Sequence, residues 1–483
     1  MTKIETILHR KGPLLSGELS KAMQAVSGLS EVTIRKQISR AADPVKKLSG
    51  FFIYNQSLFF LDEHISDGSY IKVLKDILKN SAKRFFAVIK ALEYHNGYMA
   101  ESQIAAYTFS PLENLKGHKR SDMVLKEVAR TGLIAREPGY LKLNEAYFPK
   151  FRINFKRYKA VETARNFVLS QFRDWARKIG MVSYETPTLF SEFSKFQWAF
   201  TAPSYISSLV IYKGGLNNPA FVLADILIGS QVKEDNVLFF VEKVGIVKSV
   251  YLNSRIIPFL IVDNINAGAL QILKQQGIIV GFIDKLFGYG YKELIRDLIS
   301  TVTNAAAILK KNPDQFLRLM STISKLTDGK TNNLRGDIFE MAVGYYHSRL
   351  CRNLDISKII YIDGIQRELD VFAVYPHQVT VCECKGLKRA LTLGEVDEWL
   401  KDIILLREWI DMQDAYRGKR HVFELWSTDG FTPDAVIKLE SVSAAKRYDI
   451  CCFDQPAILK KAREIPGTKF VKILQDYFIQ EPL

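Results

Sequence analysis

Three charged residues interrupt an apolar hairpin sequence near the C-terminus. In RELDVFAVYPHQVTVCECKGLK, Arg367 to Lys388, the residues Asp370, Glu383 and Lys385 stand among Val, Phe and Cys. With a turn centred between Pro376 and His377, position 375 pairs with 378, and the same register sets Asp370 opposite Glu383. Directly opposed Cβ atoms in an antiparallel pair lie roughly 4.5–5.5 Å apart. Two carboxylates at that separation on a strand pair buried on both faces repel each other and lose hydration, so they require a compensating cation. A divalent ion meets the need. All-oxygen ligation by carboxylates, water and a phosphate suits Mg²⁺, with Mn²⁺ as a substitute. Lys385, two residue rises or roughly 6.6 Å beyond Glu383, is placed to hold or polarise a water that attacks phosphorus.

The elements that must position these groups follow from periodicity. Alternation puts Val379, Val381, Glu383 and Lys385 on one face, and Asp370, Phe372 and Val374 on one face of the preceding strand. Around the hairpin stand a helix GDIFEMAVGYYHSRL, a strand KIIYID, a long helix GEVDEWLKDIILLREWID, a strand HVFELWST, a helix PDAVIKLESVSAAK and a strand DICCF. The order is αβββαβ with an αβ extension. Asp370 followed by Glu383-Cys384-Lys385 resembles the D…E-x-K motif of the PD-(D/E)XK, or restriction-endonuclease-like, nuclease superfamily, and the element order is similar to that fold over residues 325 to 465. The resemblance implies metal-dependent phosphodiester hydrolysis, with Asp370 and Glu383 as metal ligands and Lys385 orienting the nucleophile. It also implies that Glu340, in RGDIFE on the helix before the sheet, joins the metal site. Position 369, the proline slot of the family pattern, is Leu here. His377 reads as a solvated turn residue; Gln366, Arg367 and Lys388 flank the site, where they meet either a scissile phosphate or solvent.

The chain is ordinary globular protein in composition: of its 483 residues 47% are hydrophobic, 12% aromatic and 25% charged, which argues against disorder. Its charge is less ordinary. At +15, with a pI near 9.3, the surface attracts polyanions, and nucleic acid is the leading partner class. The N-terminal MTKIETILHRKG lacks the apolar core of a signal peptide and no apolar run reaches bilayer-spanning length, so a soluble cytoplasmic protein without membrane contact is expected. Cys351, Cys382, Cys384, Cys451 and Cys452 are too few and too clustered for a secreted disulfide framework and read as buried thiols. Cys382 and Cys384 share a strand face, but no C-x-x-C or nearby His pair completes a zinc set.

At the N-terminus a short helix around Ile4 to His9, a helix SGELSKAMQAV and a helix SEVTIRKQISRA precede a hairpin VKKLSGFFIYNQSLFFLDE turning at Asn55 to Ser57. Ser30 is placed to cap the third helix, Ile34 and Ile38 face a core, and Arg35, Lys36 and Arg40 project outward. This order resembles the winged helix-turn-helix, which implies a third helix lying in the major groove of double-stranded DNA. AKRFFAVIKALEYHNG, SQIAAYTF, KRSDMVLKEVARTG and LIAREPGYLKLNEAYF repeat the plan. There Ser121 is the expected cap, Val124, Val128 and Leu133 the core, and Lys126 and Arg130 the outward cations.

From about Tyr158 a long helix leads into strands FQWAFTAPSYISSLVIY, AFVLADILIG, NVLFFVEKV and RIIPFLIVDN, a helix NAGALQILKQQG and a strand IIVGFI. Asp225 sits mid-strand with Glu242 on the following strand, while Val244 fills the place an E-x-K lysine needs and Lys243 points to the opposite face. This segment therefore reads as a nuclease-like fold without activity. Gly and Asn in TDGKTNNLRG mark the next boundary. The whole is a multidomain α/β (α+β) chain: winged-helix-like segments over 1–70 and 80–150, an inactive nuclease-like domain over 158–310 and a PD-(D/E)XK-like domain over 325–483. The expected activity is that of a Mg²⁺-dependent restriction or phage-defence endodeoxyribonuclease, and a homodimer is allowed. RNA cleavage, a role in repair or recombination, and non-catalytic DNA binding or assembly are the alternatives.

Overall fold

The computed structural model describes residues 2–183, 187–206, 210–213, 216–250, 255–327, 335–443 and 448–479. The chain is mixed α/β and divides into two compact units, Met1–Tyr158 with Arg173–Phe282, and Lys159–Phe172 with Ile283–Leu483.

The first unit opens with α1 (Lys3–Lys11), β1 (Leu14–Leu15), α2 (Ser16–Ser27), α3 (Glu31–Ser39), β2 (Lys46–Ser49) and β3 (Ser57–Phe60), the strands forming an antiparallel sheet in the order β1-β3-β2. Helix α3 starts where the Ser30 side chain accepts the Thr33 N–H, and its Ile34 and Ile38 enter a core with Leu8, Leu19, Met23 and Phe59. Burial of that stripe leaves Arg35, Lys36 and Arg40 exposed, with Arg35 paired to Glu31 at 2.6 Å. The turn between β2 and β3 comes earlier than its sequence suggests: Tyr54 and Asn55 take left-handed φ of 57° and 52°, and Ser57 already begins β3.

After α4 (Asp62–Ser66) and α5 (Ser69–Ser81) a similar order recurs in α6 (Lys83–Tyr94), β4 (Tyr98–Ala100), a 3-10 turn at Ile104–Tyr107, α7 (Ser121–Arg130), β5 (Ile134–Glu137) and β6 (Tyr140–Leu143), with sheet order β4-β6-β5. Ser121 does not cap α7. It is the first helical residue, buried, with its N–H donated to the Pro111 carbonyl, and extended Arg120 takes the cap position. Val124, Val128 and Leu133 are buried, while Lys126 and Arg130 are exposed.

The larger sheet of this unit is built from β7 (Thr188–Phe193) after α8 (Phe155–Lys178), then β8 (Phe196–Ser204), a small hairpin of β9 (Ile211–Lys213) and β10 (Leu216–Asn218), β11 (Ala220–Leu227), α9 (Glu234–Val250), β12 (Ile256–Val262), α10 (Ala267–Gln275) and β13 (Ile279–Phe282). Its order is β7-β8-β11-β12-β13, the first two pairings antiparallel and the last two parallel.

The segment NVLFFVEKV, expected as a strand, lies within α9. Its buried residues Val237, Phe240, Val244 and Val247 recur at three- and four-residue spacing, a helical stripe that a short apolar run conceals. Glu242 is therefore on a helix, paired with Lys83 at 2.6 Å, and Val244 is no strand position at all. Lys243, expected to face away from Asp225, reaches it at 2.5 Å, both side chains fully buried. Its ammonium also donates to the Ala106 and Gln197 carbonyls at 2.6 and 3.0 Å, while Asp225 accepts the Ala199 N–H at 2.8 Å. Burial pushes the Asp225 carboxyl up and the Lys243 ammonium down, and each charge opposes the shift of the other.

The second unit begins with α11 (Ile283–Phe287), α12 (Tyr291–Thr303), α13 (Ala305–Lys311) and α14 (Asp314–Thr327), so residues 283–310, expected to close the middle domain, belong here. Residues 328–334 of the TDGKTNNLRG boundary lie outside the described residues. Then come α15 (Arg335–Ser348), β14 (Asn353–Ile362), β15 (Ile365–Val374), β16 (Gln378–Lys385), α16 (Leu393–Asp411), β17 (Arg420–Ser427), α17 (Pro433–Ser443), β18 (Asp449–Phe453), α18 (Gln455–Arg463) and α19 (Lys469–Tyr477). The sheet runs β14-β15-β16-β17-β18 with the same sequence of strand directions as the larger sheet of the first unit. Val396, Trp399, Ile403 and Leu406 of α16 pack on Phe372, Val379, Val381 and Phe423. Helix α15 approaches β14 closely because position 344 is Gly: a Cβ there would stand 2.5 Å from Ile356 Cδ1.

The buried Asp225–Lys243 pair generates the first prediction. Lys243→Met leaves an uncompensated carboxylate inside the first unit and should cost about 3–5 kcal/mol. Urea denaturation followed by tryptophan fluorescence measures it, and a loss under about 1 kcal/mol would show that the pair does not support the fold.

Candidate active site on the second sheet

β15 and β16 pair as Val371↔Cys382 and Phe372↔Val381, and the hairpin closes with the Tyr375 N–H donated to the Gln378 carbonyl. The next positions along that register are Asp370 and Glu383.

The strand does not alternate regularly there. β14 and β15 pair as Asp355↔Phe372, Ile356↔Val371 and Lys358↔Leu369, and between the last two Ser357 takes a left-handed φ of 48°. Leu369 and Phe372, three residues apart, both pack into the α16 core, whereas regular alternation would put them on opposite faces. Asp370 stands opposite Ser357 at this break in the alternation, and the register is the same on either side of it. The shared face expected for Asp370, Phe372 and Val374 therefore holds for Phe372 and Val374 only. The Asp370 carboxylate turns toward the neighbouring strand, where Oδ2 accepts the Cys384 N–H at 2.7 Å.

Lys385 Nζ lies 2.7 Å from Glu383 Oε1, each side chain about one-third exposed (38% and 32%), so the pair remains reachable from solvent. Burial and then the Glu383 charge hold the Asp370 carboxyl well above the usual carboxylate range, against the pull of the Cys384 N–H and Lys385. Burial acts against the Lys385 charge, but Glu383 and then Asp370 outweigh it and raise the ammonium. Two acids thus share one cation.

Glu340 is on α15, where its Oε2 accepts a hydrogen bond from Ser357 Oγ at 3.1 Å. The helical acid is tied to Ser357, but its oxygens do not join those of Asp370 and Glu383 in a set within 4.8 Å of one another. Arg367 is held by Asp402 of α16, and Gln366 accepts from the Tyr361 hydroxyl at 3.2 Å; His377 and Lys388 are exposed.

Among the described residues the set that does converge within 4.8 Å is His347, Cys382 and Glu424, all buried. Neither His347 nor Glu424 stood out in the sequence. Two signals were there: Glu424 is the lone acid in an apolar strand, and His347 follows Glu340 by seven residues, two helical turns on one face.

No family model matches the chain, and no curated protein matches it. Two solved structures show slight similarity. One is a protein of unknown function, AF1548, with 10% identity and a TM-score of 0.17, covering 33% of this chain. The other is protein VC1899 from Vibrio cholerae, with 9% identity and a TM-score of 0.16, covering 50% of this chain. The chain spans 64% of the length of the first and 53% of the second.

A carboxyl whose pKa is raised in the fold is destabilised as an anion, a penalty absent below its unfolded pKa near 3.8 that grows as pH rises toward the folded value. In the presence of chelator, Asp370→Asn should therefore raise the melting midpoint at pH 8 by about 2–4 °C. The gain should shrink as pH falls toward 4. Thermal unfolding across that range tests the sign; a variant less stable at pH 8 would contradict it.

Proposed function

We propose that the chain is a Mg²⁺-dependent endonuclease hydrolysing phosphodiester bonds of double-stranded DNA, of the PD-(D/E)XK type and of the restriction or phage-defence class, acting through Asp370, Glu383 and Lys385. The observation that carries this reading is the hairpin, whose register ends at Val371↔Cys382 with Asp370 and Glu383 as the next positions, where Asp370 accepts the Cys384 N–H at 2.7 Å and Lys385 lies 2.7 Å from Glu383. The donor set fits the ion: the two acids and Lys385 sum to one net negative charge in a half-buried setting, and their donors are oxygens.

Asp370 and Glu383 would hold the metal directly, and Glu340, fixed by Ser357, would orient a ligand water. The ion, when bound, supplies a more acidic water and offsets negative charge on the phosphoryl group. Lys385 remains protonated because of its acidic neighbours and so offers a donor to the attacking water or a phosphate oxygen. Asp370, anchored on the Cys384 N–H, cannot swing away from that position without leaving a strand N–H unpaired.

The basic surface supports a polyanionic substrate. In this reading α3, with Arg35, Lys36 and Arg40, and α7, with Lys126 and Arg130, position the duplex, since phosphate contacts orient while the site does the chemistry. The larger sheet of the first unit, whose Asp225 is sealed against Lys243, serves as a scaffold.

The test incubates the full chain with supercoiled plasmid, linear duplex, single strands and RNA in Mg²⁺, Mn²⁺ or EDTA. Wild type should nick or cut duplex DNA with either ion. Asp370→Ala should lower that rate at least about 100-fold while DNA binding in EDTA, followed by fluorescence anisotropy, stays unchanged. Equal cutting by the variant would remove Asp370 from the site, and cleavage confined to RNA would replace the substrate class.

A further inference from the structure

On the sheet face that α15 covers, the donors of a transition-metal centre are already gathered. His347 Nε2 lies 3.1 Å from Glu424 Oε2 and 3.3 Å from Cys382 Sγ, and Cys382 Sγ lies 3.6 Å from Glu424 Oε2. A tetrahedral Zn²⁺ with Zn–N and Zn–O near 2.0 Å and Zn–S near 2.3 Å requires N···O, N···S and S···O edges of about 3.3, 3.5 and 3.5 Å. The three observed edges match these within about 0.3 Å. Nitrogen, sulfur and oxygen donors in one triangle suit a borderline-soft cation and not Mg²⁺, which separates this cluster from the oxygen set of Asp370 and Glu383.

The surroundings are those of a metal site. The other ring nitrogen of His347 is held by the Tyr375 hydroxyl at 2.8 Å, which fixes the ring and leaves Nε2 for the cluster. Trp426 Nε1 donates to Glu424 Oε2 at 2.8 Å and fixes the carboxylate. The parallel register Cys382↔Glu424↔Cys451 places a second thiol next in the same row. Cys451 Sγ stands outside the 4.8 Å set, so a rotation of its side chain is needed to bring it to the fourth corner.

We propose that His347, Cys382 and Glu424 form a Zn²⁺-class site, completed by Cys451, that clamps α15 to β16 and β17. The clamp acts on Glu340 as well, because that residue lies two turns before His347 on the same helix. The reading of Asp370, Glu383 and Lys385 as a hydrolytic site does not depend on it.

The experiment uses the full chain purified without chelator or added metal. Elemental mass spectrometry should find about one zinc per chain, retained in Asp370→Ala and lost in Cys382→Ser. Stripping the metal and adding Co²⁺ should give a visible spectrum with thiolate-to-metal charge transfer in the near ultraviolet, weakened by about half in Cys451→Ser, and restoring Zn²⁺ should raise the melting midpoint. The wild-type spectrum decides the matter even where a variant folds poorly. Absence of both stoichiometric zinc and a Co²⁺ charge-transfer band in folded wild type would overturn the site, and full intensity in folded Cys451→Ser would remove Cys451 from it.

Discussion

The architecture of the candidate site depends on one hydrogen bond, from the Cys384 N–H to the Asp370 carboxylate. A strand normally offers a carbonyl to its neighbour, and here an ionisable side chain takes that role opposite Ser357, whose φ is left-handed. The break in alternation lets Leu369 and Phe372 both enter the α16 core while Asp370 turns toward β16. Glu383 is the position next to the last β15–β16 pair, Val371↔Cys382, and Lys385 follows two residues on. Without the break, regular alternation would force a choice between burying Asp370 in the apolar layer and giving up one of the two apolar contacts.

The two larger sheets share their strand directions and the placement of helices after the third and fourth strands, yet they treat their acids differently. In the first unit Asp225 faces a single lysine from α9, and the Lys243 ammonium spends its donors on Asp225 and two carbonyls in full burial. Nothing in that arrangement is left to bind. In the second unit two acids share one cation, half exposed, and burial together with the Glu383 charge pushes the Asp370 carboxyl up. The first arrangement is electrostatically closed. The second leaves two acids to one partly exposed lysine.

Much of this was legible in the sequence, for identifiable reasons. The hairpin register followed from the turn at Pro376 and His377 because two-fold alternation makes a one-residue shift costly, and α3 followed from Ser30 and the Ile34, Ile38 stripe. The segment around Glu242 was misread because a short run of Val, Phe and Leu looks alike as strand or buried helix, and only its packing partners decide. With α9 assigned as a strand, Lys243 was sent to the wrong side of Asp225. The turn of Asp370 toward β16 and the meeting of His347, Cys382 and Glu424 were hidden for a different reason. They depend on a positive φ at Ser357 and on which helix covers which sheet face; the lone acid Glu424 and the spacing of Glu340 and His347 mark single residues but not their convergence.

On the proposed function, the Asp370 and Glu383 carboxylates need a divalent ion besides Lys385. That need is tested most directly by Mn²⁺ binding, followed by electron paramagnetic resonance with Mg²⁺ as competitor, in wild type and Glu383→Gln. One Mn²⁺ per wild-type chain that Mg²⁺ displaces is expected, with affinity at least about tenfold weaker in the variant, the equivalent of about 1.4 kcal/mol. Equal affinity in the two proteins, or no Mg²⁺-displaceable ion in wild type, would contradict it.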